Sequence, residues 1–206
     1  MPIAELRTGQ QNVGDGVQIT QRGGRTGETV ATDAHGPLYE ASRLGNLFMC
    51  RAVVTAPVIF TTAAGTGGPF IWNGSTNRNV SILRVGWGIT VVSTVAAAIG
   101  LTGGTGQTAA PTGTTAIDST TNGLLGGSSG GATAYRVATP TAAGAWFFPV
   151  GDVQTGALTT SPGVQHWVNI DGAITVPPNG WCSFSSSATA STLVIQASII
   201  YEELPV

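Results

Sequence analysis

Asn79-Val80-Ser81-Ile82-Leu83-Arg84-Val85-Gly86-Trp87-Gly88-Ile89-Thr90-Val91-Val92 alternates apolar residues with small or polar ones, and this period of two decides the fold class. Val80 and Ile82 lie on one phase; Val85, Trp87, Ile89 and Val91 lie on the other. A strand slipped by one residue would turn its apolar set to the wrong face, so a β-bulge or bend is predicted near Leu83-Arg84. The uncharged run Val85 to Leu101 is long enough to span a bilayer. Its Gly86, Gly88, Thr90, Ser93, Thr94 and Gly100, with strand-like alternation, argue against a spanning helix, and no membrane partner is expected.

Outward from this stretch, short runs of β-branched and aromatic residues cut by Gly, Pro, Asn and Asp predict strands near 47–55, 57–63, 69–73, 79–92, 94–101, 132–138, 145–150, 164–170, 173–176, 181–187 and 192–203. In the last of these, Ile195, Ala197, Ile199 and Tyr201 share one face. Val194 and Ile200 lie on the opposite face with Gln196 and Ser198, which predicts a strand covered on both sides. Asn73-Gly74, Asp171-Gly172 and Asn179-Gly180 tolerate positive φ and are predicted as tight turns between antiparallel strands. The reading is all-β: an antiparallel β-sandwich with an extended N-terminal arm, the arm over 1–46 and the body over 47–206.

Residues 1–51 hold five of the eight Arg and five of the ten acids, with few large apolar residues before Leu38. Such a segment cannot bury much by itself, and its Gly-rich polar runs predict an arm that orders on contact with another surface. Leu38, Ala41 and Leu44 share a face and suggest a short helical turn. Residues 102–131, rich in Gly, Thr and Ser, are predicted as a long loop between strands and a second contact element.

Charged residues are only 9% of the 206-residue chain and there is no Lys, for a formal charge of -2. A globular domain is usually about a quarter charged. Gripping nucleic acid through its phosphates needs a clustered basic surface, so no nucleic-acid partner is expected. A nearly neutral surface repels its own copies weakly and suits assembly. The start at Met1 has no apolar run and no small-residue cleavage site, so no secretory signal is expected.

Motifs for chemistry are thin. Gly126-Gly127-Ser128-Ser129-Gly130-Gly131 matches GxSxG, but that motif needs a strand-to-helix turn with His and acid partners, and neither flank reads as helix. His35 and His166 are the two histidines, and no His/Asp/Glu cluster has metal-ligand spacing. Cys50 and Cys182 lie far apart and predict buried thiols rather than a disulfide framework. Gly103 to Thr108 has no following Lys, which excludes a phosphate loop. No catalytic, cofactor-binding or metal residue is expected, and the chain is not read as an enzyme.

His35-Gly36-Pro37-Leu38-Tyr39-Glu40-Ala41-Ser42-Arg43-Leu44-Gly45-Asn46-Leu47-Phe48, followed by Thr/Ala/Gly-rich strands and the terminus Ile200-Tyr201-Glu202-Glu203-Leu204-Pro205-Val206, resembles virion structural proteins of tailed bacteriophages, in particular jelly-roll head decoration (cement) proteins. The resemblance implies a jelly-roll-like sandwich that trimerises on a capsid, with the major capsid protein as partner. It implies a place on the outside of the virion shell after synthesis in the host cytoplasm, with the arm stapling neighbouring subunits. Candidate contact residues are Arg22, Arg25, His35, Tyr39 and Arg43, together with Trp146 and Trp167. A competing expectation is a tail or spike component that binds host-surface glycan through loops and tryptophans.

Overall fold

A computed structural model of the chain describes residues 38–55, 66–93, 95–117, 119–153, 165–187 and 193–206. The chain divides into two units, 1–39 and 40–206. Apart from Leu38 and Tyr39, the first unit lies outside the described residues, and with it most of the arm expected over 1–46. The strand expected at 57–63 lies outside them as well.

A short helix α1 (Tyr39–Arg43) forms where a helical turn is predicted. It ends as Asn46 N–H donates to Ala41 O and Gly45 adopts a φ of 73°, a left-handed closure that costs glycine nothing. The strands follow as β1 (Leu47–Thr55), β2 (Thr66–Trp72), β3 (Arg78–Val91), β4 (Ala97–Gly104), β5 (Thr112–Ala116), β6 (Ser119–Asn122), β7 (Thr133–Thr139), β8 (Ala145–Val153), β9 (Gln165–Val176), β10 (Trp181–Ser186) and β11 (Val194–Pro205).

They form two antiparallel sheets, ordered β6-β1-β11-β3-β9 and β5-β7-β2-β10-β4-β8. Setting aside β5, β6 and β7 leaves β1-β11-β3-β9 facing β2-β10-β4-β8. The pairs β1·β11, β2·β10, β3·β9 and β4·β8 are then nested one inside another. A long antiparallel ribbon wound over itself gives this order, which is the eight-stranded jelly roll. The first and last strands of the body end side by side, closing the core with the two ends of the fold.

The inner faces supply that core: Phe48, Cys50, Ala52 and Val54 from β1, Ile195, Ala197, Ile199 and Tyr201 from β11, and Ile71, Ile99, Leu101 and Phe184 from the opposing sheet. In β11 buried residues alternate with half-buried ones. The expected two-sided cover is therefore only partial.

The predicted bulge is present. Ile82 pairs with Tyr201 and Arg84 with Ile200, so Leu83 is the extra residue on β3. The same interruption falls between β3 and β9. Because Leu83 is skipped, Ile82 and Val85 can both face the core.

The three turns have different roles from those expected. Asp171 and Gly172 do have positive φ, 50° and 80°, yet they lie inside β9. Asn169 pairs with Arg84 and Ile174 with Ile82, so Ile170–Ala173 bulge out of one strand that keeps the same neighbour on both sides. Asn179, with φ 57°, turns the chain between β9 and β10, which belong to opposite sheets. Asn73-Gly74 closes no hairpin: the Asn73 amide is buried and donates to Arg78 O and Val176 O at 2.8 and 3.0 Å. It ties the ends of β2, β3 and β9 together.

The 102–131 segment, expected as a loop, carries β4 to Gly104 and contains β5 and β6. β6 adds to β1 at the edge of one sheet, and β5 adds to β7 at the edge of the other.

Tyr201 is fully buried and stacks on Phe48 with ring centroids 5.4 Å apart, but its hydroxyl has no hydrogen-bond partner. A buried hydroxyl without a partner carries a desolvation cost of about 1–3 kcal/mol. Tyr201→Phe is therefore expected to leave stability unchanged or raise it by about 1 kcal/mol, measured by urea unfolding; a loss above that size would mean that the hydroxyl is bonded.

Candidate functional site

The outward face of the β1-β11-β3-β9 sheet holds a groove among the described residues. On β3 the outward residues between the bulge and the strand end include Gly86 and Gly88, so this strand leaves a trough without side chains. Pairing fixes what lines it. Arg51 lies opposite Ser198, Ser198 opposite Gly86, and Gly86 opposite Trp167, which makes one continuous row across four strands. The next row runs Val53, Gln196, Gly88, Gln165.

Trp167 fills part of this trough. A Cβ on Gly86 would sit 2.7 Å from Cε3 and Cζ3 of the Trp167 ring, so the indole lies over the glycine backbone. The residue is nonetheless 52% exposed. The result is an aromatic platform supported from below and open above, in a groove with a volume of about 490 Å³. Arg51 is the charged member of its lining among the described residues.

The other tryptophans divide differently. Trp87 points inward, is nearly buried, and stacks on His166 at 4.5 Å. Trp181 is buried and stacks on Phe70 at 5.2 Å, with Trp72 and Tyr135 beside them in a second aromatic cluster. Trp181 Nε1 donates to Ala142 O, and a Cβ on Gly144 would strike its ring, so the 140–144 turn lies against Trp181.

Of the expected contact residues, Arg22, Arg25 and His35 lie outside the described residues. Tyr39, 44% exposed, and Arg43, also exposed, are on α1. Trp146 belongs to β8 opposite Thr102, and its side chain lies outside the described residues. The Trp167 row does not include any of the other expected residues. Sequence reasoning missed Arg51, Gln196, Ser198 and the two glycines; the available signal was glycine at alternate positions of β3 on the phase opposite to Val85 and Trp87.

The GxSxG segment has a structural partner. Glu203 is fully buried, accepts from the Gly131 and Ala132 backbone N–H at 2.8 and 2.9 Å, and pairs with Arg78 at 3.2 Å. A Cβ on Gly130 would overlap Glu203 Oε1. Glycine is required here so that a buried carboxylate can be held by main-chain donors. The segment connects β6 to β7, two strands, without the helix that a nucleophile turn needs. Among the described residues no group of three His, Cys, Asp or Glu is placed to hold a metal, and no helix is long and apolar enough to cross a membrane.

Comparison with protein-family models, with curated proteins and with solved structures finds no match for this chain.

Proposed function

We propose that the protein is a structural subunit of a virion, a decoration or cement protein that binds the outside of a capsid and staples neighbouring major capsid proteins through its N-terminal arm. The observation that carries this reading is the lack of charge on two of the strands that end the sheets of the jelly roll. β5 (Thr-Gly-Thr-Thr-Ala) and β6 (Ser-Thr-Thr-Asn) end their sheets without a single charged residue. Sheet edges are ordinarily protected by charge, above all Lys, because bare N–H and C=O groups recruit further strands. A chain with no Lys and such edges suits strand addition from a neighbouring polypeptide. The polar residues 1–46 have the length and composition to supply or receive such contacts, and many weak contacts repeated over one shell act together through effective concentration. The resemblance at His35–Phe48 and at the C-terminus supports the same assignment, and a trimer is the expected form.

Deletion of residues 1–35 is expected to leave a folded body that no longer protects shells from heat or chelator. Calorimetry of decorated and bare shells reads this directly. Protection by the truncated chain equal to that by the full chain would remove the stapling role from the arm.

A further inference from the structure

From the Trp167 trough we infer that this face binds a short oligosaccharide bearing an acidic sugar, a role that stands whether or not the chain decorates a capsid. A pyranose presents a face of C–H groups and a rim of hydroxyls. Its face needs a flat apolar platform, and its rim needs side chains that both donate and accept. Trp167 supplies the first, held flat over Gly86 with half its surface open. Gln165 and Gln196, in the adjoining row, carry amides that do both, and Ser198 adds a hydroxyl between the ring and Arg51.

The spacing selects a chain rather than a single ring. The indole lies over Gly86, two strand intervals from Arg51 or about 9.5 Å at the usual strand separation, which suits an oligosaccharide lying across the strands. Arg51 on β1, with Ser119 of β6 beyond it, is an exposed cation whose planar fork matches a carboxylate with two parallel hydrogen bonds. A stacked nucleobase fits poorly, because a strand of phosphates would need several cations where the lining has one among the described residues. An apolar peptide fits poorly as well, since apart from Trp167 and Trp87 the described lining is glycine, amide, hydroxyl and guanidinium.

Affinity electrophoresis of the full chain in native gels containing polygalacturonate, polysialic acid or neutral dextran tests this. With a formal charge of -2, the protein is repelled overall by acidic polymers, so retardation by them reports a site rather than bulk attraction. At least one acidic polymer is expected to retard the protein while dextran does not. Trp167→Ala should weaken the retardation about tenfold. Trp167→Phe should recover part of it, and Arg51→Gln should weaken it about fivefold, an effect that salt diminishes in the parent. Thermal unfolding of each variant establishes that the exposed substitutions leave the body intact. Mobility unchanged by both acidic polymers overturns the inference, as does retardation that survives Trp167→Ala. Equal retardation by dextran, insensitive to Arg51→Gln, overturns the acidic assignment. Loss of capsid binding by Trp167→Ala, with no retardation in any gel, overturns the sugar site in favour of a protein contact.

Discussion

Replacing Glu203 by alanine is expected to cost about 3–5 kcal/mol of folding stability, the largest loss from any single polar side chain described. The carboxylate is buried where β11 passes the 130–132 loop, and both oxygens accept main-chain N–H groups from that loop. Truncation removes the acceptor of two part-buried main-chain donors, at Gly131 and Ala132, and each hydrogen bond to a charged group is worth about 1.5–3 kcal/mol. Arg78, whose side chain is 43% exposed, can turn to solvent instead. The ion pair is therefore the smaller part of the interaction, and Arg78→Ala should cost only about 1 kcal/mol. Gly130→Ala should resemble Glu203→Ala, because the new methyl group would occupy the position of Glu203 Oε1. Urea unfolding of the three variants gives the ranking, and a melting-temperature fall of about 10 °C is expected for Glu203→Ala. If Glu203→Ala costs no more than Arg78→Ala, the main-chain hydrogen bonds are not what holds the loop.

Position in chain order helps to explain why this node is invisible in sequence. Glu203 reads as half of a solvated or interface Glu202-Glu203 pair at the C-terminus, and Gly130-Gly131 as part of the long 102–131 loop. Their meeting follows from the nested topology, which returns the last strand beside the first. Within single strands the sequence is far more legible. The slip of alternation at Leu83-Arg84 marks a real bulge, because burying both Val80-Ile82 and Val85-Trp87 on one face allows no other solution. The phase of β11 is equally plain, since Ile195, Ala197, Ile199 and Tyr201 are all buried.

The turns show the limit of such reading. Asp171-Gly172 and Asn179-Gly180 announce backbone that tolerates positive φ, and Asp171, Gly172 and Asn179 have it, but conformation does not name the strand that follows. One site is a bulge inside β9 and the other a passage between sheets. β5 and β6 escaped notice because Thr-rich edge strands bury little and so carry no apolar alternation. The trough is partly legible for the same reason that β3 is: Gly86 and Gly88 lie on the phase opposite to Trp87. Its partners Arg51, Ser198 and Trp167 join through pairings across three strand interfaces, and periodicity holds no information about those.

Above pH 9 the fold is expected to lose stability steeply, and the cause is two thiols facing the core. Cys50 and Cys182 are free and buried on inner faces of opposite sheets, and burial raises each from 9.0 to about 12. The proximity of Cys50 adds to the rise at Cys182. In the unfolded chain both ionise near pH 9, while in the folded chain both keep their protons. The folded state thus binds more protons between pH 9 and 12, so stability is fully present below pH 9 and falls as pH rises toward 12. Each thiol contributes about 1.4 kcal/mol per pH unit in that window, or about 5.5 kcal/mol for the pair by pH 11. Against a total stability of about 5–15 kcal/mol this approaches alkaline unfolding. Tyr201, also raised by burial, adds to the slope above its own ordinary range. Urea unfolding from pH 8 to 11 measures the slope, and Cys50→Ala with Cys182→Ala should remove most of it while lowering stability at pH 8 through the cavities left behind. At pH 8 the native thiols should also resist a disulfide reagent until the protein unfolds, because so little thiolate exists in the folded state. An unchanged slope in the double variant would show that ionisation elsewhere drives the alkaline transition, and rapid thiol labelling of native protein would show that the two inner faces open far more often than their burial implies.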